Sequence, residues 1–238
     1  MELNTVSPDS ADTADTAAEQ RPGWPEMLVG AAVYLLCYLV GPPIVTALTG
    51  GSPVSSGLSF AALSGIMGLL AFFAAFAVRM RSLAAFNIRA VPVRRIFAAI
   101  GFGLLALVLT RAFAALYVVV AGSTSGDPQG DYQAAAAGGP IALILQLLFI
   151  AVLTPLGEEL LFRGVLATAL SKYGSWISVV GSTVVFALAH GINLALIPAI
   201  VVGAINGILL VRTKSVWPGV IVHAVNNGLG TVLPLLFA

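Results

Sequence analysis

Residues 140–170 read PIALILQLLFIAVLTPLGEELLFRGVLATAL, an apolar run broken by two adjacent carboxylates and one guanidinium. The run is long enough to cross a bilayer with tilt or to project beyond it, and Pro155 is expected to kink it. Inside it lies Pro155-Leu-Gly-Glu158-Glu159-Leu-Leu-Phe162-Arg163-Gly164. An ionisable side chain at mid-bilayer costs about 2.5–3.5 kcal/mol on insertion scales, so it normally faces a bundle interior and has a task there. On a helix, Glu159 and Arg163 stand four apart with the acid N-terminal, the favourable orientation for a pair. Glu158 lies about 100° further round the axis and has no partner within its own turn. One acid is neutralised and the other left available. On this stretch alone, the plain alternative is an ion cluster that only ties helices together.

The rest of the chain agrees with a membrane setting. Of its 238 residues, 59% are hydrophobic and 9% charged, with a mean hydropathy of +1.01. A soluble domain of this size has no use for so much apolar surface, so the fold class is all-α, a polytopic transmembrane helical bundle. A net charge of +1 says nothing about nucleic acid, and the sequence holds no basic patch interleaved with aromatics to bind it, so no nucleic-acid partner is expected. The single cysteine, Cys37, lies in an apolar run and rules out an intrachain disulfide or a cysteine metal site. Gly203-Ala-Ile-Asn-Gly207 has the small-xxx-small spacing that lets helix backbones approach closely.

Seven apolar segments follow a polar start: Met27–Leu48, Gly57–Val78, Ile96–Ala121, Pro140–Leu170, Trp176–His190, Leu194–Val211 and Val216–Phe237. Residues 1–24 carry Glu2, Asp9, Asp12, Asp15 and Glu19 among Ser, Thr and Ala, and read as a disordered cytoplasmic tail. They lack the basic start of a signal peptide, so the first apolar run is expected to be retained. Residues 25–238 then form the transmembrane domain. Numbering the loops alternately puts Arg21, Arg79, Arg81, Arg89, Arg94, Arg95, Lys172, Arg212 and Lys214 on one side and no Lys or Arg on the other. That bias places the N-terminus in the cytoplasm of a multi-pass protein of the plasma membrane. Trp24, Trp176 and Trp217 begin spans on the same side, where an interfacial belt wants them. The Arg79–Arg95 loop alternates basic and apolar residues and can lie on an anionic leaflet, or be a positive-inside loop and nothing more.

Counting 1.5 Å per residue from that side puts Glu158 roughly 18 Å deep, His223 roughly 10 Å, Asn227 roughly 16 Å and His190 roughly 21 Å. The depths overlap between the inner half and the middle of the membrane, so an acid pair, two imidazoles and an amide can share one pocket. His223 and Asn227 also share a helix face by their i, i+4 spacing. Taken singly, a buried polar side chain in a span is ordinary interhelical glue. Asn193, Asn206, Asn226, Gln146 and Arg111 read that way, though Arg111 can also pair with a pocket acid. The conjunction is what singles out the set.

Glu158-Glu159-x3-Arg163, Phe186-x3-His190 and His223-Ala-Val-Asn226-Asn227, in this order, resemble the motifs of the CPBP family. These are intramembrane proteases that include type II CAAX prenyl proteases, bacteriocin-processing enzymes and abortive-infection-like proteins. The resemblance covers a motif core at residues 141–235, the last four spans. The family's usual form has eight spans, one more than the seven apolar segments of this chain. The resemblance implies an intramembrane endopeptidase with Glu158 and His190 catalytic, Glu159, Arg163 and Phe186 supporting, and His223 and Asn227 lining an oxyanion site. Its partners would be a membrane-associated peptide or protein substrate and the lipid bilayer. Peptide hydrolysis needs an activated water and donors aimed at the developing oxyanion, which these residue types supply. Glu158, His190 and His223 would also make a zinc set with a water in the fourth position, so the cofactor is none or zinc. Two other classes stand beside the protease: a catalytically silent immunity or scaffold protein on the same fold, and a small proton-coupled transporter using the Glu/His cluster as a relay.

Overall fold

A computed structural model describes residues 21–79, 82–121 and 130–237. Most of the tail expected at residues 1–24, together with Arg81, lies outside the described residues. Eight helices order the rest: α1 Trp24–Thr49, α2 Pro53–Val78, α3 Val93–Ala121, α4 Gly130–Ala137, α5 Pro140–Tyr173, α6 Ser175–Ala189, α7 Leu196–Thr213 and α8 Trp217–Leu236. No strand occurs among the described residues. Six of these helices, α1, α2, α3, α5, α7 and α8, are long and apolar enough to cross a membrane. The fifth apolar segment of the sequence forms α6, which has only 15 residues and rises about 22 Å. The protein is thus an integral multi-pass helical bundle.

Its surface suits lipid. Leu28, Leu36, Leu39, Leu48, Phe73, Val108 and Ile141 are exposed, while Glu158, Glu159, Arg163, Asn206 and His223 are buried. A water-soluble fold distributes these residue types the other way round. The buried apolar centre is aromatic: Phe72, Phe86, Phe162 and Phe186 are all enclosed, with Phe72 edge-on to Phe86 and Phe162 edge-on to Phe186.

The helix ends that carry the basic residues meet on one side. Arg79 at the end of α2 forms a two-point ion pair with Glu26 in the first turn of α1 (2.8 and 3.0 Å). The Trp24 indole donates to the Tyr173 hydroxyl at the end of α5 (2.9 Å). Ser215 donates to the Arg89 carbonyl, and Val216 N–H to the Asn87 carbonyl, binding the α7–α8 turn to the loop before α3. This is the sidedness that loop alternation requires.

Glycines set the closest helix contacts. A Cβ on Gly157 of α5 would strike the Gly65 carbonyl of α2, and one on Gly68 would strike the Gly157 backbone. Gly203 and Gly207 both face α6, where added Cβ atoms would come within 3.0 Å of Thr183 and 3.2 Å of Val179. The small-xxx-small pattern therefore seats α7 on α6, as its spacing suggests. Without these contacts α2, α5, α6 and α7 would stand too far apart for their polar side chains to meet.

Candidate active site

Helix α5 is not uniformly α-helical. A π-helical turn at Phe149–Leu153 precedes the acid pair, and a longer π-helical segment, Leu160–Ala167, follows it. In the first, Thr154 N–H bonds the Phe149 carbonyl five residues back. Pro155, next in line, has no N–H to give to the Ile150 carbonyl. The Asn227 amide of α8 donates to that carbonyl instead (3.1 Å). Proline is thus answered by a widened turn and a side chain from another helix, and π turns of this kind gather at functional sites.

Adjacent acids then point into different surroundings. Glu159 is held from two sides: its Oε2 forms an ion pair with Arg163 Nε at 3.1 Å, off the line of an aligned hydrogen bond, and its Oε1 is hydrogen-bonded to His223 Nδ1 at 3.3 Å. Arg163 is fully buried, donates to the Gly203 carbonyl (3.1 Å), and lies 4.5 Å from the Phe186 ring centroid. Gly219 makes room for the pair, since a Cβ there would fall 2.9 Å from Glu159 Oε2.

Among the described residues no Arg or Lys pairs with Glu158. Its Oε1 accepts a 2.6 Å hydrogen bond from Ser64 of α2. Its Oε2 is buried with no hydrogen-bond partner, 3.8 Å from His223 Nε2 and 3.9 Å from His190 Nε2. Those separations are too long for direct hydrogen bonds and suit a group bridged between them. His190 caps the end of α6, and its Nδ1 lies 2.9 Å from the Phe186 carbonyl. A carbonyl only accepts, so Nδ1 carries a proton and Nε2 is the ring nitrogen turned towards Glu158. Phe186 stands edge-on to both imidazoles, with centroids 4.6 Å from His190 and 5.8 Å from His223.

These residues line one cavity of about 390 Å³, with Tyr34, Thr110, Arg111 and Tyr132 on other walls. Asn227 lines it too; one amide proton is committed to Ile150, and its Oδ1 accepts from Asn226 (3.2 Å). Among the residues read as glue, Asn206 bonds the Gly219 carbonyl, Asn193 ties the α6–α7 turn and Asn226 is held by Thr110. Gln146 is buried with neither amide atom bonded. Arg111 lines the cavity, yet no ion pair joins it to a described acid.

The cavity's direction differs from the sequence expectation of a pocket nearer the basic side. It is lined by Tyr132 and Gln133 of α4 and by Leu194 and Ala195 of the α6–α7 turn, all on the side away from the gathered basic ends. The cause is the shortness of α6. His190 sits where that helix stops, and the space beyond it stays open.

Sequence reading missed Ser64 and the stripe Gly57, Ala61, Gly65, Gly68 that brings α2 onto α4 and α5. The stripe was legible as small residues at helical spacing; Ser64 carried no signal of its own. As a zinc set, Glu158, His190 and His223 stand somewhat wider than bound ligands do: donors of a tetrahedral zinc with bonds near 2.0–2.1 Å are about 3.4 Å apart, and the acid-to-imidazole separations in this site are 3.8 and 3.9 Å. Among the described residues no three His, Cys, Asp or Glu side chains group as metal ligands.

Residues 140–229 match a family model described as type II CAAX prenyl endopeptidase Rce1-like. The match covers less than half of the chain, from the start of α5 into α8, and contains every residue of the three motifs. The match supports the resemblance of this segment to the CPBP proteases. No curated protein and no solved structure matches the chain.

Proposed function

We propose that this chain, CPBP-like over residues 140–229, hydrolyses a peptide bond of a membrane-associated peptide or protein using a water held by Glu158. The observation that carries the reading is the unpartnered, buried Oε2 of Glu158 facing the Nε2 atoms of His190 and His223 on the wall of a cavity. A water there gives one hydrogen to Glu158 Oε2 and the other to neutral His190 Nε2, which leaves an oxygen lone pair turned towards the substrate. Ser64 fixes the carboxylate's rotation from its other oxygen.

As the water oxygen bonds to the substrate carbonyl carbon, its proton passes to Glu158 and the carbonyl oxygen becomes an oxyanion. His223 is the donor placed for that oxyanion. To donate from Nε2 while Nδ1 serves Glu159 it must be an imidazolium. Asn227 contributes its remaining amide proton. When the tetrahedral species collapses, the C–N bond breaks and the proton returns from Glu158, directly or through His190, to the leaving amine. No step passes through a metal. Glu159 and Arg163 hold the second imidazole rather than touch substrate.

Comparative peptidomics of cells carrying the intact chain or its Glu158→Gln variant tests the reading. Gln keeps the shape and the Ser64 contact but cannot take a proton. Peptides that disappear with the variant, at equal protein level in the membrane, are the expected result. Unchanged peptides alongside an unchanged cellular phenotype would point to the silent scaffold instead. Chelator treatment of the purified protein is expected to leave cleavage intact, and a stoichiometric zinc requirement would overturn the metal-free scheme.

A further inference from the structure

Five cations, Arg89, Arg94, Arg95, Arg212 and Lys214, collect at one corner of the molecule, where the loop before α3 meets the α7–α8 turn. Three hydrogen bonds close that corner. Arg95 Nη1 donates to the Thr213 carbonyl (3.1 Å), Ser215 Oγ to the Arg89 carbonyl (2.6 Å) and Val216 N–H to the Asn87 carbonyl (3.0 Å). Arg89 folds its own fork back onto the Ala84 carbonyl (3.1 and 2.8 Å). Arg94, Arg212 and Lys214 are exposed, and among the described residues no acid pairs with any of the five. The described acids lie elsewhere: Glu26 takes Arg79, Glu158 and Glu159 are buried in the site, and Asp131 opens α4 on the side away from the basic ends. Val93 and Phe97, which bracket Arg94 and Arg95 in the chain, are 64 and 69% exposed. Like charges repel, so cations gathered without an acid call for an anionic partner. Bare apolar side chains among them place that partner at a bilayer surface.

We propose that this corner is a binding surface for anionic phospholipid, with the cations on the lipid phosphates and Val93 and Phe97 against the acyl chains. Phosphate suits both the fork of arginine and the point charge of lysine. A cation next to the end of a span meets the headgroups, and each one contributes about fivefold to binding at an anionic leaflet. The corner also fixes the start of α8, the helix that carries His223 two turns further on. Lipid bound there holds α7, α8 and the loop before α3 together, and it stabilises the bundle because it binds the assembled corner and not its separated parts. None of this requires hydrolysis at Glu158.

The test uses the full chain in a neutral maltoside detergent, titrated with phosphatidylglycerol or with phosphatidylcholine of the same acyl chains, and reads affinity from thermal unfolding. Phosphatidylglycerol should bind on the order of a hundredfold more tightly, about fivefold for each of the three exposed cations, and the preference should shrink as salt is added. Arg94→Gln, Arg212→Gln and Lys214→Gly together remove those cations and leave the Arg89 and Arg95 hydrogen bonds in place. Lys214 has φ +54°, a conformation that glycine adopts with less strain, so the triple variant should unfold no earlier than wild type without lipid. It should nevertheless lose the preference. Arg94→Gln alone should lower it about fivefold, and Arg94→Lys should keep it. Equal binding of the two lipids, or a preference that survives the triple variant, would overturn the proposal. So would inorganic phosphate that stabilises as well as phosphatidylglycerol at the same concentration, since a soluble anion would then fill the corner. A preference that arises only after Asp9→Asn, Asp12→Asn and Asp15→Asn would overturn it too, by showing the chain's own acids on these cations.

Discussion

Glu158 and Glu159 are the same residue type in adjacent positions, and their tasks differ because a helix turns about 100° between them. Glu159 meets Arg163 and His223; Glu158 meets a serine hydroxyl and open space. Ser64→Ala removes only that hydroxyl. It should lower kcat about tenfold to a hundredfold, by the worth of a hydrogen bond to a charged group, with KM little changed and about 1–3 kcal/mol of stability lost because a buried carboxylate oxygen is left without its partner. An unchanged kcat would show that the carboxylate needs no such anchor. Arg163→Met leaves Glu159 buried without its cation and should destabilise the fold by about 3–5 kcal/mol, measured as a loss of cooperative unfolding or of expression.

At the scale of elements, α5 owes its shape to Pro155 and its position to glycine. Asn227 has two tasks, since it answers the Ile150 carbonyl and lines the cavity. Asn227→Ala should therefore lower kcat and also cost about 1–3 kcal/mol of stability, because a buried carbonyl loses its partner. A kcat loss with no change in stability would assign Asn227 to the oxyanion alone. Gly157→Ala drives a methyl into the Gly65 carbonyl and should separate α2 from α5, losing about 1–3 kcal/mol together with the Ser64–Glu158 contact. Gly101→Ala is the control: nothing lies within 4 Å of its added Cβ, and a helix-interior glycine replaced by alanine gains up to about 1 kcal/mol.

Across the whole molecule the site is reached from one side. Basic helix ends gather on one face, and the cavity runs from Glu158 towards the other, past the short α6. If the basic face is cytoplasmic, substrate enters from the outer leaflet or the space beyond it. In a Cys37→Ser background, Ala114→Cys on the cavity wall should react with a membrane-impermeant thiol reagent added outside intact cells. Val93→Cys, exposed at the basic end, should react only after lysis. The reverse pattern would turn the protein over in the membrane and restore access from the cytoplasm.

The all-helical membrane class, the seven apolar segments, the pairing of Glu159 with Arg163 and the motifs that carry the family match are all written in the order of residues. Each follows from composition, from local period or from a short run, which chain neighbours fix alone. Three features needed the packed bundle: Ser64 meeting Glu158, Asn227 standing in for the missing N–H of Pro155, and a cavity that points away from the basic ends. These depend on how far one helix stops short and how closely two backbones approach. Such distances are set by glycines and by side chains far apart in the chain, and no local pattern records them.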